Sequence, residues 1–465
     1  MKTLDLRHDW VKIKMHDRRN ICRGPVSRRS VLQAGSLLLG GLGLGDLYRL
    51  RAQAESVRPN GENNAVILVW LEGGPSQLET YDMKPRAPAE YRGEFLPIET
   101  VVPGLDVCEL LPLHTKIADK FNLIRSISHD VADHPGAAGR FLTGRRPQNI
   151  SDPVSKFPTV ESIVAKSREN RHVGIPNYIS NERRLKGGGS AYLGQAGEPF
   201  VVSADPNSGQ FQVQDLTLDE QFAGRLDDRV TLLRGLDRLR EGLDRAAGGA
   251  SNDRFQQQAL DLLTSDKTAA AFDIRRESMS TRDRYGRNEW GQRALLARRL
   301  VEAGCSFVTV QMQKMGASVT WDDHGDGGSI PTLMRARLPA FDQAISALIA
   351  DVYERGLDKQ VMIVVAGEFG RAPLLTYRPK SRAPGRDHWP SAMSVLVSGG
   401  GMRTGQVIGT TNAKAEFPID RPHDPNDLLA SIYHFLGIDL QQTYPDLRGR
   451  PMPILPTGKP IPELS

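Results

Sequence analysis

Histidines, carboxylates and arginines gather in four short clusters along this 465-residue chain. The first is His129-Asp130-Val131-Ala132-Asp133-His134-Pro135, closely followed by Leu142-Thr143-Gly144-Arg145. The others are Trp321-Asp322-Asp323-His324-Gly325-Asp326, Gly367-Glu368-Phe369-Gly370-Arg371 and Gly385-Arg386-Asp387-His388-Trp389. Neutral imidazole nitrogens and anionic oxygens offer lone pairs to a divalent cation. Mixed His/Asp/Glu shells suit Zn, Mn or Fe, with Mg or Ca where oxygen dominates. The candidate ligands are Asp322, His324, Glu368, Asp387, His388, His129 and Glu72. Two such cations could hold the attacking and leaving oxygens of a phosphoryl-type transfer. Arg371 or Arg386 could then fork onto a tetrahedral anion, where a guanidinium outperforms an ammonium.

Each group also has a plainer role. Glu368 could pair with Arg371 across its Gly-flanked turn. Asp130, Asp133, Asp424 and Asn426 could cap helices. His114, His172 and His434 read as solvated or hydrogen-bonded side chains.

The clusters follow runs that look like strands. Residues 65–71 form a continuous β-branched and apolar stretch, as a strand buried on both faces requires. It ends in Glu72-Gly73-Gly74-Pro75-Ser76, a turn open to close approach. Similar runs occupy 121–127, 306–312, 361–366 and 394–397. Helical patterns fall between them at 160–167, 290–303, 338–355 and 427–436. This alternation predicts an α/β fold with a largely parallel central sheet flanked by helices. Ligands of such sheets sit beyond the strands' carboxyl ends. Within about 205–290 the pattern changes: Phe222, Leu226, Val230, Leu233, Leu236, Leu239 and Leu243 recur at steps of three or four, and Phe255–Leu263 follows a Gly-Gly break. That predicts a helical hairpin insertion over one side of the sheet.

The amino terminus has the three parts of an export signal: a basic segment with paired Arg28-Arg29, a glycine-diluted apolar run over 31–47, and Ala52-Gln53-Ala54. The paired arginines make 1–54 resemble a twin-arginine signal, so the export machinery is an expected partner and the destination is periplasmic or secreted. Cleavage would leave 55–465 as one α/β domain. Residues 1–54 hold 11 Lys+Arg against 4 Asp+Glu, so a whole-chain charge of +5 becomes about −2 for the remainder. A nucleic-acid or anionic-membrane role loses its electrostatic support. No later run is long enough to span a bilayer. Cys108 and Cys305 remain after cleavage, with no zinc-ribbon spacing, no Cys-x-x-Cys and no dinucleotide-binding glycine motif.

The order of the clusters resembles the DUF1501 family. The matching pieces are Gly73-Gly74-Pro75-Ser76 with Thr80-Tyr81-Asp82-Met83-Lys84-Pro85, then Arg125-Ser126 with His129 and His134. Further on come 297–304, Trp321-Asp322-x-His324, Gly367-Glu368-Phe369-Gly370-Arg371 and Gly385-Arg386-Asp387-His388-Trp389. The resemblance implies a fold similar to the alkaline phosphatase and sulfatase superfamily, whose members hydrolyse phosphate or sulfate esters with metals at the strand ends. Residues 134–147 resemble the sulfatase signature, and the nucleophile position falls on His134. Pro135-Gly136-Ala137 stands where that signature continues, so a formylglycine mechanism is not available here. His134 then has four readings: metal ligand, general acid or base, nucleophile, or a position no longer catalytic. The superfamily's late Asp-His pair is replaced by Glu368-Phe369, while Asp322, His324 and His388 match other ligand positions by order. The resemblance thus implies an exported metal-dependent hydrolase of a phosphate or sulfate ester, with Zn, Mn, Ca or Mg bound. Its substrate would be an anionic ester, on a surface or environmental polysaccharide. The alternative is a binding or scaffold protein that keeps the fold without turnover.

Overall fold

The computed structural model describes residues 61–171, 174–213, 265–313, 320–377, 379 and 382–464. The expected export signal and residues 214–264 of the helical hairpin expected within about 205–290 lie outside these residues. Eight strands form the central sheet: β1 (Ala65–Trp70), β2 (Phe121–Ile127), β3 (Tyr178–Asn181), β4 (Phe200–Val202), β5 (Phe307–Gln311), β6 (Val361–Ala366), β7 (Met393–Gly399) and β8 (Val407–Ile408). Their spatial order is β8-β2-β7-β6-β1-β5-β3-β4. All neighbours pair in parallel except at β7, which runs antiparallel to both β2 and β6.

Alternation along β1 sorts two cores. Ile67 and Val69 face helices α3 (Glu289–Glu302) and α4 (Ile330–Glu354), packing with Trp290, Leu295 and Phe341. Val66, Leu68 and Trp70 face α1 (His134–Thr143), α2 (Val160–Ser167) and α5 (Pro425–Phe435), packing with Phe141, Ile163 and Leu429. All six β1 residues are buried, which is why that run carries no polar alternation. The α/β architecture with a largely parallel sheet and helices on both faces is therefore present.

Pattern reading places the fourth helix too late. It begins at Ile330, with Ser329 accepting from Thr332 N–H as its cap, and runs through Pro339. Proline is common in a helix's first turn and costly in its interior, so Pro339 suits a start at 338, whereas the helix extends back to Ile330. Strands β3, β4 and β8 were not predicted, being only four, three and two residues long. Cys108 and Cys305 are both free and buried. Among the described residues no helix is long and apolar enough to cross a membrane.

Candidate metal centre

The strand directions explain how distant residues meet. β1 exits into Gly73-Gly74, both with positive φ (112° and 78°). A Cβ on Gly73 would stand 2.5 Å from Asp322 N, and one on Gly74 would stand 2.5 Å from the Phe369 ring. Only glycine lets this turn lie against both segments. β2 leads to His129 and then to His134, the first residue of α1. β5 leads toward Asp322 and His324, and β6 leads to Glu368 and Arg371. Because β7 is antiparallel, its first residues lie at the same sheet edge, so His388 arrives just ahead of it. A two-residue ribbon then pairs His388 with Arg371 and Trp389 with Gly370.

Three imidazoles converge on one carboxylate. His134 Nε2 lies 3.2 Å from Asp322 Oδ2, while His324 Nε2 and His388 Nε2 lie 2.9 and 3.1 Å from Asp322 Oδ1. His134, Asp322 and His388 each present a ligand atom within 4.8 Å of the others. On the far side of each ring, Nδ1 meets an acceptor: Glu368 Oε1 at 2.6 Å for His134, the Ala132 carbonyl at 2.6 Å for His388, and Asp387 Oδ1 at 3.0 Å for His324. An outer acceptor at Nδ1 holds the proton there and leaves the Nε2 lone pair facing inward, as metal-ligating histidines are held. The donor set therefore fits a divalent cation, with the nitrogen share favouring Zn or Mn over the oxygen-seeking Ca and Mg.

Without a cation the inward Nε2 atoms hydrogen-bond to Asp322 instead, and metal binding would displace the protons in those contacts. Burial alone would raise the Asp322 carboxyl. Hydrogen bonds from His134, His324 and His388, with the Arg371 charge, outweigh it and hold the group well below the usual carboxylate range. Burial would lower the His134 imidazole, but its bonds to Asp322 and Glu368 and their negative charges push it up to about 9.

The remaining candidates take other places. Glu368 is buried and meets the cluster through His134; its Oε1 also accepts the Gly73 N–H at 2.8 Å, and among the described residues Oε2 has no hydrogen-bond partner. His129 uses Nε2 on the Glu368 carbonyl oxygen at 2.6 Å and Nδ1 on the Val131 N–H at 3.2 Å. Burial lowers that imidazole to about 4, against the effect of its bond to Glu368. Asp387 reaches the centre through His324. The Glu72 carboxylate turns toward Lys186, Arg183 and Gln313, at 2.8, 2.9 and 2.8 Å.

Both arginines are fully buried. Arg371 donates to the Gly73 and Gly74 carbonyls, to the Arg386 carbonyl and to Asp322. Arg386 forks onto Glu79 and donates to the carbonyls of Tyr91, Ala372 and Pro373. Their donors face protein groups rather than an open site. Of the suggested caps, Asp424 does cap α5, accepting from Asn426 and Asp427 N–H, while Asp130 pairs with Arg146 at 2.7 Å. His114 is buried against Asp342 and Tyr81. The Ala132 carbonyl that orients His388 was missed; backbone acceptors carry no residue-type signal.

No curated protein matches the chain. Among solved structures, the chain is similar to the lipoteichoic acid synthase LtaP from Listeria monocytogenes, with a TM-score of 0.34, 10% identity, and coverage of 82% of this chain and 75% of that one. It is also similar to the phosphonate monoester hydrolase SpPMH from Silicibacter pomeroyi (0.36, 11%, 83% and 76%). A third is the alkaline phosphatase from the Antarctic bacterium TAB5 (0.32, 14%, 72% and 91%). Likeness at this level is distant, and no residue role follows from it. The family model described as "Protein of unknown function (DUF1501)" matches residues 63–465, and the chain belongs to that family.

Proposed function

We propose that this protein is an exported, metal-dependent hydrolase of phosphate or sulfate esters. One observation carries the reading: His134, Asp322 and His388 offer converging ligand atoms, and both histidines are oriented by acceptors at Nδ1. A bound divalent cation supplies Lewis-acid polarisation of an ester oxygen and a more acidic water at neutral pH. The chain's own residues do the rest. Arg371 and the three imidazoles keep Asp322 ionised, so the carboxylate is ready to ligate. His324, with Nδ1 held by Asp387, keeps its Nε2 lone pair at the centre and is placed to take a proton from an attacking water. Glu368 fixes the His134 ring. The paired arginines and the apolar run in 1–54 support export, and an exported enzyme meets anionic esters on surface or environmental polysaccharides.

The test is metal analysis of the purified mature protein, joined to hydrolysis assays on aryl phosphate and aryl sulfate. About one equivalent of Zn or Mn is expected, with activity lost on chelation and restored by the same metal. An empty protein that gains no activity from Zn, Mn, Ca or Mg would remove the hydrolase reading and leave the scaffold one. Fusing 1–54 to a reporter that is active only outside the cytoplasm tests export; Arg28→Lys with Arg29→Lys should abolish its signal.

A further inference from the structure

We propose that Arg183 and Lys186 form the anion-binding clamp of this centre, taking the phosphate or sulfate group of the ester. The proposal rests on the hydrolase reading. Such a substrate carries negative charge, yet Arg371 and Arg386 are fully buried and donate to protein groups. The loop that follows β3 supplies the missing cations.

Two contacts place that loop beside His134. Gly187, one residue after Lys186, packs so tightly on the first turn of α1 that a Cβ there would stand 2.1 Å from the Pro135 carbonyl oxygen. On the other side, Arg183 and Lys186 both reach Glu72, whose neighbour Gly73 donates to the carboxylate that holds His134. The loop is therefore tied to the centre through the residues on either side of it.

The loop is also rigid and electrically unbalanced in the required sense. Glu182 holds a positive φ of 83°, a costly backbone state for a non-glycine residue. Its carboxylate is fixed by buried Arg293 at 2.7 Å, and Ser180 Oγ donates to the Arg183 carbonyl at 2.6 Å. Two cations share the one carboxylate of Glu72, so a unit of positive charge is left over. Their side chains are 42% and 52% exposed, whereas Glu72 is 7% exposed. Arg183 Nη2 donates to Glu72 and to Gln313, each at 2.9 Å. A guanidinium and an ammonium held in this way by a buried carboxylate are pre-positioned for tetrahedral oxyanions.

The test measures binding of inorganic phosphate and inorganic sulfate by calorimetry at low ionic strength, using the mature protein and the double variant Arg183→Gln with Lys186→Gln. The amides can still donate to Glu72, and metal content and melting temperature are recorded for both proteins. At least a ten-fold loss of anion affinity is expected, with metal content and melting unchanged. For an aryl ester, KM should rise while kcat changes little. If the double variant melts early, Lys186→Gln alone should weaken binding at least three-fold. Equal affinity in wild type and variant would overturn the clamp, and so would a metal-loaded wild type that binds neither anion. A metal-free wild type that binds anion ten-fold better than the variant would keep the clamp and sink the hydrolase reading.

Discussion

His324 Nε2 and His388 Nε2 face each other at 3.0 Å, although 64 positions separate them in the chain. At that distance two lone pairs repel and two protons clash, so a single shared proton or a cation must mediate between them. The backbone holds them there. A Cβ on Gly385 would stand 2.1 Å from the His324 carbonyl carbon, so the segment before His388 lies flat on the one carrying His324.

That contact gives the first prediction. Gly385→Ala forces the two segments apart and should cost about 1–3 kcal/mol, the usual range for overpacking. Urea denaturation measures the loss, and metal content should fall with it. A variant as stable and as metal-rich as wild type would refute the close packing.

Removing a ligand should be more severe for metal than for folding. His134→Ala, Asp322→Asn and His388→Ala each leave two of three donors, and each should weaken Zn binding at least 100-fold in competition with a chromophoric chelator. His434→Ala, on the exposed side of α5, should leave binding unchanged.

Glu368 should behave as an orienting group. Glu368→Gln keeps the shape but weakens the acceptor at His134 Nδ1, so metal affinity should drop about 10- to 100-fold, as found for outer-shell partners. A loss as large as that of His388→Ala would make Glu368 a direct ligand.

Arg386 is fully buried on Glu79, itself buried. Arg386→Ala strands that carboxylate and should cost about 3–5 kcal/mol in denaturant unfolding. A cost under about 1 kcal/mol, the range of exposed ion pairs, would contradict the clamp to Glu79.

Buried Glu161 on α2 should tie stability to pH. Burial raises its carboxyl to about 7, and hydrogen bonds from its own backbone, Thr159 and Tyr178 offset only part of that. The folded value lies above the unfolded one, about 4.3, so the unfolded chain releases this proton first as pH rises. The stabilisation is complete below about pH 4 and is lost as pH rises through about 7. Across that window wild type should lose stability relative to Glu161→Gln as pH rises, so the difference between their urea midpoints isolates Glu161 from oppositely shifted groups such as His129.

Much of this molecule is written locally. The run 65–71 is apolar at every position because β1 is buried on both faces, and the polar clusters end strands because that sheet edge is open. Residue type alone marked Asp322, His324 and His388 as groups able to hold a cation. Short-range pattern could not tell Glu72, which points to a neighbouring loop, from Asp322, which points to the centre; both follow a strand. Nor could it show that Arg371 and Arg386 are buried while Arg183 and Lys186 are about half exposed. Those outcomes depend on strand order and on the antiparallel course of β7, which swings His388 to the edge where the parallel strands end. Composition sets which atoms can bind a metal, but the direction in which each side chain leaves the sheet is fixed by pairings between residues hundreds of positions apart.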